Sequence, residues 1–181
     1  MSRQYFADVL VEPYNVDYTT ITATAATLLI PISACPIPAY EPRTGKVYEL
    51  VVGGTCTTGA SGTLIVTARI GTSSTPASNT TVAASPAQTV VPSITTGGFI
   101  LRAYLVFRSI GLPGANSTCV AYGNFSSQGA IATAASETAV YFGNTVTVSV
   151  DTSIAQNFEV DVTFSIAPSV IPRFHTWRSL N

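Results

Sequence analysis

One histidine, His175, and three cysteines, Cys35, Cys56 and Cys119, are the side chains of this 181-residue chain best suited to serve as base or nucleophile near neutral pH. A serine or cysteine hydrolase needs such a base held in place by an orienting group. His175 lies beside Phe174 and close to Trp177 in a C-terminal stretch beyond the regular strands, so the expectation is packing or a neighbour contact rather than catalysis. The cysteines are far apart and form no C-x-x-C pair. They are therefore expected as small buried apolar residues, not as zinc ligands or a redox couple. Asp151, Glu159 and Asp161 are the closest acidic group, but calcium needs several further oxygen ligands and a glycosidase needs two opposed carboxyls. Glu159 and Asp161 alternate with apolar residues and are expected on the solvated face of one strand. The glycine-rich stretch 53–59 lacks the lysine of a phosphate loop, and Gly45-Lys46 leads into a strand rather than a helix. The expectation is a protein with no catalytic residues, no cofactor and no metal.

The surface that remains is sparsely charged. Eight Lys+Arg and nine Asp+Glu make 9% of the chain, against 46% hydrophobic residues, where about a quarter is usual for charged residues in a soluble domain. Much of the surface must then be Thr, Ser, Asn, Gly and small apolar side chains, which suits a protein packed against other proteins. A net charge of −1 and a single lysine, Lys46, argue against nucleic-acid binding, which depends on clustered cations meeting phosphates. The first residues lack an apolar run of signal-peptide length, and 25–32 is too short to span a bilayer. The chain is expected to be made in the cytoplasm and to have no membrane partner. Sequons at Asn79, Asn116 and Asn124 are expected by chance in so Ser/Thr-rich a sequence.

Period-two alternation supplies the elements. Phe158, Val160, Val162, Phe164 and Ile166 fall on one face of a strand, with Glu159, Asp161, Thr163 and Ser165 on the other. Val146, Val148 and Val150 alternate in the same way just before it, across a turn at 151–157. Further strands are predicted at 19–29, 46–52, 63–70, 89–94, 99–108 and 118–125, separated by Pro, Gly and Ser clusters. The fold class is all-β: an antiparallel jelly-roll β-sandwich of about eight strands over residues 19–167, with an N-terminal docking arm at 1–18 and a C-terminal arm at 168–181. Leu64, Val66, Phe99, Leu101, Leu105 and Phe107 are expected to point inward with the Phe158 face. The strand at 99–108 is apolar on both sides except at Arg102 and Arg108, which predicts a cover over its second face by a partner subunit, a loop or an arm. Both arms are too aromatic for free linkers. Arg3, Tyr5, Phe6, Tyr14, Arg173, Phe174 and Trp177 are accordingly the candidate partner-interface residues.

The segment 145–165, Thr-Val-Thr-Val-Ser-Val-Asp-Thr-Ser-Ile-Ala-Gln-Asn-Phe-Glu-Val-Asp-Val-Thr-Phe-Ser, resembles small jelly-roll structural proteins of tailed bacteriophages, above all the capsid decoration, or cement, proteins. The resemblance implies a virion protein on the outer surface of the head, a homotrimer, and a major capsid protein or other virion protein as partner. Two alternatives stand beside it: a phage tail or fibre attachment protein, and a carbohydrate-binding jelly roll that would use Tyr104, Tyr122 and Tyr141 with nearby Asp, Asn or Arg.

Overall fold

In a computed structural model, residues 8–14, 17–114, 116–128, 138–144 and 146–181 are described. Among them the chain forms thirteen strands: β1 (Asp8–Tyr14), β2 (Thr27–Leu28), β3 (Pro36–Ile37), β4 (Val47–Thr58), β5 (Gly62–Gly71), β6 (Thr80–Ala84), β7 (Gln88–Val90), β8 (Ile94–Ser109), β9 (Ser117–Ser127), β10 (Thr138–Gly143), β11 (Val148–Val150), β12 (Gln156–Phe164) and β13 (Pro168–Ser179). Two antiparallel sheets pack face to face as a β-sandwich. One runs β1-β13-β4-β8-β9-β10, with β11 also on β9; the other runs β2-β12-β5-β6, with β3 on β12 and β7 on β5.

The pairings are nested. β5 pairs with β6 and β7; β4 pairs with β8 around that hairpin; β12 pairs with β2 and β3 around both; β1 pairs with β13 outside all of them. The hairpin β9–β10 and the short β11 extend the first sheet beyond β8. The two final alternating segments, β11 and β12, thus lie in opposite sheets.

Alternation accounts for the core. Phe99, Leu101, Ala103, Leu105 and Phe107 of β8 are buried, while Gly98, Ile100, Arg102 and Arg108 on the opposite side of the strand are exposed. The residues expected to point inward are buried, including Leu64, Val66, Phe158, Val160, Val162 and Phe164, except Ile166 at the end of the Phe158 face, which is half-buried. All three cysteines are buried and free. Two aromatic groups fill the centre: Phe99 stacks on Phe125 at 4.9 Å, and Trp177 lies between Tyr48 at 5.2 Å and Phe158 at 5.6 Å.

Trp177 overturns the C-terminal arm. Residues 168–181 hold β13, which lies between β1 and β4 inside the larger sheet, and Trp177 is fully buried with its indole Nε1 donating to the Pro36 carbonyl at 2.9 Å. It is a core residue of this chain. Two prolines and a break in alternation hide this strand. Pro168 stands at its first position, and Pro172 adjoins the register shift between Pro172 and Phe174; strand starts and bulges are where proline is tolerated. The bulge moves the inward positions from Pro168, Val170 and Pro172 to His175, Trp177 and Ser179. The sandwich accordingly begins at β1 and ends at β13, wider than 19–167. Within the predicted N-terminal arm, residues 8–14 are edge strand β1, and Arg3, Tyr5 and Phe6 lie outside the described residues.

Other differences follow from what covers each strand. The stretch 19–29 contributes only β2 and an isolated bridge from Ile21 to Val170; its Thr and Ala side chains offer little to pack. β6, inside a Pro/Ser-rich stretch read as a loop, is held on β5 by the buried Val82. Glu159 and Asp161 do face away from the core, yet both are buried, at 1% and 0% exposure. Arg69 of the neighbouring β5 donates to Asp161 at 2.6 Å and to Thr81 at 2.7 Å, which holds the Asp161 carboxylate.

Candidate functional site

The outer side of the larger sheet is the richest open surface among the described residues. Its central rows follow from strand register. Glu49 of β4 faces Tyr104 of β8, which faces Tyr122 of β9; Val51 faces Arg102, then Asn124, then Tyr141 of β10; Gly53 faces Ile100, then Ser126, then Ala139. Period-two alternation places all of these on the side away from the core. The three tyrosines weighed for carbohydrate therefore share one face, and Arg102 and Asn124 stand beside them.

Two rings lie across glycines. A Cβ at position 53 would run into the Phe174 ring from β13, and one at 143 would stand 2.8 Å from Cδ1 of Tyr122. Each glycine faces its aromatic directly across the strand pair, and its missing side chain lets the ring settle over the backbone. The bulge in β13 is what aims Phe174 outward. Exposure is 41% at Phe174, 43% at Tyr122, 47% at Ile100 and 72% at Tyr141, so this face presents apolar surface to solvent.

Along β8 and β9 on this face runs an open trough of about 550 Å³, lined by Gly98, Ile100, Arg102, Asn124, Ser126 and Gln128, with Tyr141 of β10 in register beside Asn124. At Gly98, among the described residues, nothing would meet a Cβ within 4 Å. The Asn124 amide donates to Ser126 Oγ at 2.8 Å, and the Gln128 backbone amide donates to the Gly98 carbonyl at 2.9 Å. Both bonds fix the wall of the trough.

The charges beside it are unequally satisfied. Glu49 is buried and forms an ion pair with Arg178. A hydrogen bond with Glu49, helped by partial burial and the carboxylate charge, pushes the Tyr104 phenol above its ordinary pKa, with Arg102 pulling the other way. Asp17, Glu41 and Asp161 are paired with Arg173, Lys46 and Arg69. Among the described residues Arg43, Arg102 and Arg108 form no ion pair, and Arg102 and Arg108 both stand on the outward side of β8.

The residues first singled out are scattered. Arg173 is exposed and grips both oxygens of Asp17 at 2.8 and 2.7 Å, within its own chain. Phe174 is on the outer sheet face, Trp177 is in the core, and of Tyr14 the backbone alone is described, paired with His175. His175 is itself buried, with Nδ1 2.6 Å from the Tyr18 hydroxyl. Burial holds its imidazole below the usual range, against the pull of a hydrogen bond to the Ala34 backbone. Ile100, Ser126 and Gln128 were not singled out from sequence; the outward phase of β8 and β9 carries that signal once the pairing is known.

No protein-family model, no curated protein and no solved structure matches the chain.

Proposed function

We propose that the chain is a jelly-roll structural protein of a bacteriophage virion, which decorates and stabilises the capsid through protein–protein contacts. The observation that carries this reading is the nested pairing of strands, β5 with β6 and β7 innermost and β1 with β13 outermost. A chain folded once into a long hairpin and then rolled into two sheets has this order, and jelly rolls of this kind are common in capsid and lectin domains. The sparse charge supports it, because neutral hydroxyl and apolar surface packs against protein without the desolvation cost of buried ions. In this reading β1 and residues 1–7 form the docking edge. β1 is the terminal strand of its sheet, and such an edge can accept a partner strand, with Arg3, Tyr5 and Phe6, which precede it in sequence, as anchors. The partner is the major capsid protein or another virion protein, and the protein acts as a homotrimer on the outer surface of the head.

Removing residues 2–7 tests the docking edge while leaving β1 and the sandwich in place. The truncated protein is expected to melt at the wild-type temperature and to lose binding to heads. Wild-type occupancy on heads would refute the role of this segment. A second reading, a carbohydrate-binding module, is favoured by the shared face of Tyr104, Tyr122 and Tyr141.

A further inference from the structure

We infer that the trough on the outer face of β8 and β9, together with Tyr122 and Tyr141 beside it on the same face, is a binding site for an oligosaccharide bearing a carboxylate. The inference does not depend on the capsid role and adds a ligand to it. Sugar rings offer flat patches of C–H groups ringed by hydroxyls, so a site for them needs exposed aromatic faces with hydrogen-bonding groups at their edges. Tyr122 and Tyr141 supply the rings at 43% and 72% exposure, and apolar contact with such rings is the main apolar gain open to a sugar. Asn124, Ser126 and Gln128 line the trough with both donors and acceptors for hydroxyls. At about 550 Å³ it falls within the usual small-ligand range of about 300–1,000 Å³.

Charge selects the ligand. The exposed Arg102 lines the trough without an ion pair among the described residues, while Asp17, Glu41, Glu49 and Asp161 are each held by a cation of this chain. A guanidinium in this state is matched by a carboxylate, which it can bind through two parallel hydrogen bonds. A uronic acid unit provides that group on a sugar ring, with Arg102 at the carboxylate and Tyr141, in the same cross-strand row, under a neighbouring ring.

The scaffold suits the task. β8 and β9 are long paired strands of 16 and 11 residues, and sites built on strands are held more firmly than sites on loops. Four strand steps separate β1 from β9, about 19 Å at normal strand spacing, so the trough lies apart from the proposed docking edge and both can be occupied together.

Titration calorimetry of the full chain with oligogalacturonate, and with neutral cello-oligosaccharide of the same length, tests the inference. The acidic sugar is expected to bind and the neutral one to bind at least tenfold more weakly. Arg102→Gln should remove the preference for the acidic sugar, and Tyr141→Ala should weaken both by tenfold or more. Arg108→Ala, on the same side of β8 but outside the trough, should change neither. All three side chains are exposed, and melting curves verify that the variants fold. Absence of oligogalacturonate binding at millimolar concentration overturns the site, as does binding that survives both Arg102→Gln and Tyr141→Ala. If those two variants instead abolish attachment to phage heads while no sugar binds, the face is a protein-docking surface and the saccharide site is wrong.

Discussion

Replacing Trp177 with alanine separates a core strand from a docking arm. The side chain is fully buried between Tyr48 and Phe158, and its Nε1 donates to the Pro36 carbonyl. Truncating a buried tryptophan to alanine costs about 3–5 kcal/mol, and the two stacked contacts and the stranded Pro36 carbonyl place this site at the upper end. Against the total stability of about 5–15 kcal/mol usual for a domain, Trp177→Ala should remove a third or more of the stability and lower the urea midpoint accordingly. Trp177→Phe keeps most of the apolar volume and loses the hydrogen bond, for a cost of about 1–3 kcal/mol. Urea unfolding followed by far-ultraviolet circular dichroism measures both variants. Trp177 is the single tryptophan of the chain, so wild-type fluorescence gives an independent check: emission should be blue-shifted and shielded from acrylamide. Solvent-like emission, or an unchanged urea midpoint in Trp177→Ala, would refute the placement of β13 in the core.

Three further outcomes follow from buried groups. Burial pushes the Glu159 carboxyl above its ordinary pKa, with Asn79 and Arg69 opposing and Asp161 reinforcing the shift. A carboxyl that holds its proton more tightly when folded adds stability below its unfolded pKa and loses it as pH rises through the folded one. Glu159→Gln should therefore melt higher than wild type at pH 8, and the gap should close at pH 4 or below; a lower melting point at pH 8 contradicts this. Gly53→Ala drives a Cβ into the Phe174 ring, which is partly exposed and must swing away, at a cost of about 0.5–1.5 kcal/mol. A double-mutant cycle should show most of that cost gone in a Phe174→Ala background, and strict additivity would count against the contact. Burial raises the Cys56 thiol to about 11 and Cys119 to about 12, with Cys35 also well above its usual value; thiol titration with a disulfide reagent should find no fast-reacting cysteine until the protein is unfolded.

Strand phase was legible wherever one face meets the core. Phe99 through Phe107 and Phe158 through Phe164 each show alternation, and the inward sets read from it are the buried ones. Alternation assigns a side of the sheet but does not say what lies over that side. Glu159 and Asp161 face outward as expected and are still buried, Asp161 paired with Arg69 from the adjacent strand. β13 was missed for a different reason. Its bulge shifts the period by one residue at 173–174, so neither half shows a long regular pattern, and Pro168 and Pro172 read as punctuation. The same bulge sends Phe174 to the surface and Trp177 to the core, an exchange no single period can encode. The outer-face site was half visible: Arg102 and the three tyrosines stand out by type, but their assembly depends on the register among β4, β8, β9 and β10, which is set by long-range pairing.

The most direct test of the proposed capsid role is fractionation of the particles assembled by the genome that encodes this chain. Density-gradient separation followed by quantitative mass spectrometry should find the protein with DNA-filled heads, at a fixed ratio to the major capsid protein that high salt leaves unchanged. A protein that stays in the soluble fraction, or that migrates with tails and not with heads, would contradict the account.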